Sequence, residues 1–245
     1  MNNFFTIWRR ELAACFLSPI AYVIMVVFLG ASGFTFFLGA VRNVGATDPL
    51  ASLLVGAIVI WLALLIPVIT MRLFAEEKHS GTIETLMTAP VTENEVVIGK
   101  YAGALSFLLI VSLPAIASVF ILEKFSPGLT VSGIDRGALL GGVIILLLLS
   151  VFFTAAGLLI SLLTRNQIVS AVCCFVIVWL GLLLGWLVSN LPGGAGLPAD
   201  YISATTHIED FCRGIIDART IILYVSGTWL LLFSSIRVLE SRQLR

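Results

Sequence analysis

Charged side chains are scarce in this sequence. Asp, Glu, Lys and Arg make up 11% of the 245 residues, whereas soluble domains typically carry about 25%. Hydrophobic residues reach 59%, and the mean hydropathy is +1.10. A soluble fold of this length could not keep so much apolar surface away from water, so the composition indicates an integral membrane protein. The formal net charge is zero, so nothing suggests nucleic acid as a partner.

Ionisable residues are absent from the interiors of the long apolar runs. No Asp, Glu, Lys, Arg or His lies between the ends of the membrane spans that we predict below. Ion-coupled carriers and proton pumps usually keep such groups in mid-membrane as relays or ion ligands. The sequence therefore argues against a self-powered ion-coupled carrier and against metal-dependent chemistry within the membrane.

Motifs of catalysis and nucleotide binding are missing as well. The sequence has no H-E-x-x-H, and residues 30–33 (GASG) are not a G-x-S-x-G nucleophile elbow. Gly99 and Lys100 lack the upstream glycine of a phosphate-binding loop and are followed by tyrosine. The four cysteines fit neither a disulfide framework nor a zinc site. We therefore predict no catalytic residue, no metal site and no cofactor in this chain.

What the sequence does contain is a series of long apolar runs. Each is close to the roughly 20 residues that a helix needs to cross a bilayer. We predict six transmembrane helices, at about 20–41, 51–71, 101–122, 137–163, 168–191 and 220–237. Residues 2–17 precede them and are amphipathic, typical of a helix that lies in the membrane interface. The predicted fold is one all-α membrane domain over residues 1–245.

The basic residues predict the orientation of this domain. If the N-terminus is cytoplasmic, nine of the 14 Lys and Arg residues lie on the cytoplasmic side and five on the outer side. Such an excess follows the positive-inside rule. We therefore predict that both termini are cytoplasmic.

Residues 72–100 are the one long polar interruption in the first half of the chain, and we predict that they form a cytoplasmic loop. Ile83, Leu86 and Met87 are spaced as on one face of a short helix, which we predict over residues 81–88. We interpret the loop as a knob that receives force from another protein. The alternative is a linker that faces lipid headgroups and has no partner.

A second helix is predicted to begin at the end of this loop. Pro90 stops the first helix, because it biases the preceding residue away from the helical region. Thr92 and Glu95 then form a T-x-x-E capping box for a helix that continues into the next apolar run.

Residues 192–219 are predicted to form an outer loop that contains an amphipathic helix. Thr206 and Glu209 give a second capping box. The apolar positions at helical spacing are Ile208, Phe211, Cys212, Ile215 and Ile216. The helix either lies on the outer leaflet or serves as an external gate or docking surface, and the two interpretations are compatible.

Small residues and prolines indicate where the spans approach each other and bend. The pairs at small-xxx-small spacing are Gly137 with Gly141, Gly157 with Ser161, and Gly181 with Gly185. They pack helices either within one subunit or across a dimer. Pro67 and Pro114 lie inside the second and third predicted spans, where they either act as flexure points beside the polar loop or are merely tolerated.

Three segments together carry a family resemblance. Residues 76–91 (EEKHSGTIETLMTAPV), with 99–100 (GK) downstream, resemble the first cytoplasmic loop of ABC-2 type transporter permeases, E-E-K-x-x-G-T-[IL]-E-x-L-x-x-[AS]-P-V. Residues 8–12 (WRREL) with 16–22 (FLSPIAY), and residues 207–217 (HIEDFCRGIID), resemble that family too. Together they are similar to its gliding-motility (GldF-like) branch.

This resemblance implies an architecture and a set of partners. The fold is expected to be that of an ABC-2, type V exporter-like permease, with six spans, an N-terminal interfacial helix and a coupling helix in the first cytoplasmic loop. Two permease subunits, identical or different, pair with two cytoplasmic ATPases, which hold ATP and Mg. The gliding-motility branch adds an accessory membrane protein with an extracytoplasmic domain. The complex is expected in the bacterial inner membrane.

The resemblance also assigns the coupling residues. Carried over position by position, they are Glu76, Glu77, Lys78, Gly81, Thr82, Ile83, Glu84, Leu86 and Met87. The charged residues among them are expected to make polar contacts with the ATPase, while the apolar ones seat the helix. The expected function is export by an ABC transporter. The alternatives are a membrane anchor for a surface or motility machine, and a self-standing channel.

Overall fold

The regular structure is helical throughout the residues that the computed structural model describes, which are 2–42, 50–81, 92–125, 136–189 and 203–243. In these ranges the helices are α1 (Asn2–Leu17), α2 (Pro19–Arg42), α3 (Leu50–Thr70), α4 (Ala75–Ser80), α5 (Glu93–Phe125), α6 (Arg136–Leu163), α7 (Gln167–Ser189), α8 (Ala204–Cys212) and α9 (Ala218–Gln243).

Six of these helices, α2, α3, α5, α6, α7 and α9, are long and apolar enough to cross a membrane. The finding confirms the predicted all-α fold with six spans that follow an N-terminal helix. α5 begins at Glu93, ahead of the apolar run, because the predicted capping box forms there. The backbone N–H of Thr92 donates to the Glu95 carboxylate over 3.1 Å, and the N–H of Glu95 donates to the Thr92 hydroxyl over 3.4 Å.

The six long helices divide into an inner and an outer set. In α3, α5 and α6, 61–67% of the most apolar stretch is buried inside the protein, against 17–22% in α2, α7 and α9. The outer helices leave rows of large apolar side chains exposed, such as Val26 on α2, Val176 on α7 and Trp229 on α9. Such all-apolar exteriors suit contact with lipid or with another membrane subunit.

α6 is at the centre of the bundle and contacts α3, α5, α7, α8 and α9. Glycines bring its neighbours close, as small residues do in membrane proteins. The contacts at the predicted small-residue pairs are Gly141 with Phe211 of α8, Gly157 with Thr70 of α3, and Gly181 of α7 with Phe153. These positions therefore pack helices within one chain.

Pro67 and Pro114 lie inside long helices, as predicted, Pro67 in α3 and Pro114 in α5. Pro114 lines a cavity of about 240 Å³ that is also bordered by Leu29 of α2 and Ile58 of α3. The role of Pro67 and Pro114 as flexure points stays a prediction.

Candidate coupling site at the α4 end of the bundle

The polar loop leaves the bundle through the short helix α4. A turn over residues 71–74 connects it to the end of α3, and Gly81 ends it with a φ of 74°, in the left-handed region that favours glycine. Phe74 and Ala75 at its start are fully buried. α4 is therefore seated in the protein at the end of the bundle where α5 begins and α6 ends, which we call the α4 end.

A side chain of α6 caps the beginning of α4. The N-cap residue Phe74 makes no capping bond with its own side chain. Instead, the buried hydroxyl of Ser161 accepts hydrogen bonds from the backbone N–H groups of Phe74, over 3.1 Å, and Ala75, over 3.0 Å. Two N–H groups that helix geometry leaves without a partner are thus satisfied by a neighbouring helix.

Ser161→Ala should lower the free energy of unfolding by about 1–2 kcal/mol, because two buried N–H groups lose their acceptor. The measurement is SDS titration in mixed micelles. Ser234→Ala is the matched control, since the exposed Ser234 hydroxyl bonds only the Leu230 carbonyl of its own helix. Equal losses in the two variants would contradict the capping role.

α4 in turn caps the end of α6. The ammonium of Lys78 donates to the backbone carbonyl of Leu162, the penultimate residue of α6, and to that of Thr164, over 3.4 Å. A cation at a helix C-terminus satisfies free carbonyls and interacts favourably with the helix dipole. Ser161 and Lys78 therefore join α4 and α6 reciprocally.

A buried lysine joins α4 to two further helices. The side chain of Lys100, near the start of α5, is only 1% exposed. Its ammonium donates to the carboxylate of Glu77 of α4 over 2.7 Å and to that of Glu11 of α1 over 2.9 Å, and it lies 5.2 Å from the centre of the Phe74 ring. A buried charge is tolerated when it is paired in this way.

Arg10 completes this group at the surface. Its guanidinium is 3.1 Å from Glu11 and 3.7 Å from Glu77. We name Arg10, Glu11, Glu77 and Lys100 the Lys100 cluster. Its two cations and two carboxylates balance, so the cluster is held by attraction without a net charge.

α1 lies along the first half of α5. A Cβ on Gly103 would be 2.7 Å from the Cβ of Glu11, so the two helices approach closely there. The indole N–H of Trp8 donates to the Ser106 hydroxyl over 3.0 Å. The N-terminal helix is thereby packed against the bundle beside α4.

A cleft of about 270 Å³ opens beside the cluster, between α1, α2 and the end of α3. Its polar lining includes Glu11, Arg72 and Glu76, and the last two are exposed. Burial raises the pKa of the Cys15 thiol in this cleft, and Glu11 adds to the shift while Arg72 opposes it. The cleft thus presents charges of both signs at the α4 end.

The structure separates the predicted coupling residues into three groups. Glu76 and Gly81 are exposed, whereas Glu77 and Lys78 are directed into the protein. Outside the described residues lie Thr82, Ile83, Glu84, Leu86 and Met87. The helix over residues 81–88 therefore stays a prediction, while α4 was not predicted.

The reasoning from sequence missed the Lys100 cluster and the docking of α1. One signal was available: Gly99 and Gly103 are a G-x-x-x-G pair, the spacing that allows close helix approach. A Cβ on Gly99 would be 2.8 Å from the Ile7 side chain of α1. The pair therefore marks the α1–α5 contact.

The opposite end of the bundle differs from the prediction in its helix cap. α8 begins at Ala204, and its N-cap is Ser203, whose hydroxyl accepts from the Thr206 N–H over 3.3 Å. The predicted Thr206–Glu209 capping box is therefore wrong by one turn, because Ser203 offers an earlier cap. The apolar stripe also ends sooner than predicted, since Ile215 and Ile216 lie beyond the helix and are exposed.

α8 packs into the bundle end between α3, α6 and α7. Its Phe211 and Cys212 are fully buried, and Nδ1 of His207 is 3.1 Å from the hydroxyl of Tyr224 on α9. A cavity of about 490 Å³ lies beneath it between α3 and α7, lined mainly by apolar side chains. α8 is thus an integral part of this end of the bundle.

Comparison with models of known protein families assigns the chain to a family. The family model described as "ABC-2 family transporter protein" matches residues 50–238, well over half of the chain. The match includes α3 to α8 and most of α9. A search among curated proteins found no match.

Proposed function

Since the chain belongs to the ABC-2 family of transporter proteins and is a multi-pass membrane permease, we propose that it is the membrane subunit of an exporter driven by separate cytoplasmic ATPases. ATP and Mg are held by those partners, because this sequence has no phosphate-binding loop. A second permease subunit, identical or different, completes the membrane part. On the sequence resemblance, the chain is assigned to the gliding-motility branch, with an accessory extracytoplasmic subunit.

The observation that carries the proposal is the way α4 is attached. α4 continues from α3 through the turn at 71–74, is joined to α6 by Ser161 and Lys78, and is joined to α5 by Lys100. These three helices are the inner set of the bundle. A displacement of this one short helix would therefore reach the whole core, as a coupling element requires.

The mechanism that we propose is mechanical. The ATPases close on ATP and push on residues 81–88 and on the exposed side of α4, where Glu76 lies. The push changes the tilt of α3 and α5, with Pro67 and Pro114 as flexure points, and opens an outward path beside the second permease. The excess of basic residues on this side supports an orientation in which the α4 end and both termini are cytoplasmic. On the sequence resemblance, the membrane is assigned as the bacterial inner membrane.

Glu84→Arg or Glu76→Arg should reduce the amount of ATPase that co-purifies with the chain at least about tenfold. The proposal pairs these carboxylates with basic groups of the ATPase, and an arginine in their place would repel those groups. The measurement is the molar ratio of ATPase to permease after expression of the tagged chain in its native cells and affinity purification.

Glu209→Arg is the matched control. Glu209 is 61% exposed on α8 at the opposite end, where only its surface pair with Arg213 would be lost. If no ATPase accompanies the unmodified chain, or if the two charge reversals retain it as the control does, the coupling role is refuted. Solute flux through the chain alone, without ATP, would instead identify a channel.

A further inference from the structure

We propose that the Lys100 cluster fastens the N-terminal helix α1 to α4, so that α1 moves with α4 and carries its displacement to α2. The transmission rests on the proposed function, whereas the fastening is a property of this chain alone. α1 thereby becomes a second moving part of the coupling site. Lys100, Glu77 and Glu11 act as positioning residues.

The geometry of the lysine carries this inference. One ammonium bonds carboxylates of two different helices, Glu77, 23 residues before it, and Glu11, 89 residues before it. The two carboxylates would repel each other without the cation between them. Because the Lys100 side chain is 1% exposed, removal of one partner would leave a charge in a poorly solvated place. The complete cluster therefore stabilises the contact of α1 with α4, and the loss of any one member weakens it.

The packing of α1 against α5 makes α1 move as a rigid body. It is held along α5 at Gly99 and Gly103 and by the bond from Trp8 to Ser106. The ring of Phe16 meets that of Phe107 edge-on, with centroids 5.2 Å apart. Contacts along the length of α1 mean that a force applied at Glu11 moves the helix as one body.

The joint between α1 and α2 is very short. α1 ends at Leu17 and α2 begins at Pro19, so Ser18 alone separates them. The proline fixes its own φ, and the N–H of Ala21 donates to the Ser18 carbonyl over 3.1 Å. A joint of one residue with these constraints absorbs little motion, so movement of α1 is passed to α2.

The fastening is tested on the permease alone, in lipid nanodiscs, by amide hydrogen exchange. Glu77→Gln removes one charge of the cluster and keeps the shape of the side chain. We expect the amides of α1 to exchange about tenfold faster, because the helix opens locally more often once the buried ammonium loses a charged partner. Lys100→Met should have a larger effect, and Glu77→Gln keeps the test valid if that variant does not fold.

Glu76→Gln is the matched control, since Glu76 is the adjacent residue of α4 and is exposed. Exchange in α9 reports the integrity of the fold in every variant. If α1 exchanges equally fast in Glu77→Gln and Glu76→Gln, with α9 unchanged, the fastening is overturned.

The transmission is tested on the purified complex with its ATPase, in a hydrolysis-deficient form, with and without Mg·ATP. In the unmodified chain we expect Mg·ATP to alter exchange in both α4 and α1. In Glu77→Gln, the response of α4 should persist, and that of α1 should fall at least about fivefold. An α1 response that is the same in both chains overturns the transmission. If α4 of the unmodified chain does not respond to Mg·ATP, the proposed function fails, while the permease-alone experiment still decides the fastening.

Discussion

Gly141→Ala is expected to lower the free energy of unfolding by more than about 3 kcal/mol, beyond the usual cost of an overpacked core. A Cβ at this position of α6 would lie 2.0 Å from the carbonyl oxygen of Phe211 and 3.0 Å from its carbonyl carbon. The obstacle is backbone of α8, which cannot rotate away as a side chain does. α8 must therefore leave its place, together with the buried Phe211 and Cys212.

SDS titration in mixed micelles measures this loss, and hydrogen exchange shows where it occurs. Gly30→Ala on α2 is the matched control, because a Cβ there would meet nothing within 4 Å. Gly30→Ala should leave the free energy of unfolding unchanged or raise it slightly, since alanine favours a helix more than glycine does. Similar stability of the two variants, with unchanged exchange in α8, would show that α8 is not seated against α6 as described.

Gly157→Ala is expected to cost about 2–3 kcal/mol and to displace the end of α3 from which α4 continues. A Cβ on Gly157 would be 2.5 Å from Oγ1 and 2.8 Å from Cβ of Thr70. The Cβ of Thr70 is fixed to the backbone, so rotation of the side chain cannot relieve the contact. α3 and α6 must therefore separate at a point one turn before Ser161. This separation also distorts the hydrogen bonds by which Ser161 caps α4.

A second substitution tests the cause of this loss. Thr70→Ala removes two of the three Thr70 atoms that the new Cβ would meet, so the double variant should recover part of the stability, with a coupling energy of about 1 kcal/mol or more. Unfolding in mixed micelles gives all four free energies of the cycle. Strict additivity would mean that the loss arises somewhere other than at the α3–α6 contact.

The spans were predictable from sequence because the bilayer imposes a length and an apolar composition on each one separately. The start of α5 was predictable as well, because the Thr92–Glu95 capping box is local in sequence. In contrast, two caps could compete at α8, and the pattern around Thr206 did not show that Ser203 would be used. Local signals thus locate a helix end reliably only where no second cap competes nearby.

The Lys100 cluster was not predictable, because its partners are separated by up to 89 residues. Glu76 and Glu77 are chemically identical neighbours. Glu77 faces Lys100 only because of the orientation of α4 about its own axis, which the tertiary packing decides. Phe74 and Ala75 are buried at the start of α4, and no local pattern in the sequence marks their burial. The family pattern could therefore locate a polar segment without showing which of its charges face a partner.

The docking of α1 on α5 has a consequence for biosynthesis. The Trp8–Ser106 bond joins residues 98 positions apart, so α1 leaves the ribosome long before the groove that receives it has been made. At typical elongation rates of 5–20 residues per second, the helix must wait roughly 5–20 s. During that time its aromatic side chains have only lipid or a chaperone to shield them, so α1 is expected to reach its native place only after α5 has been made.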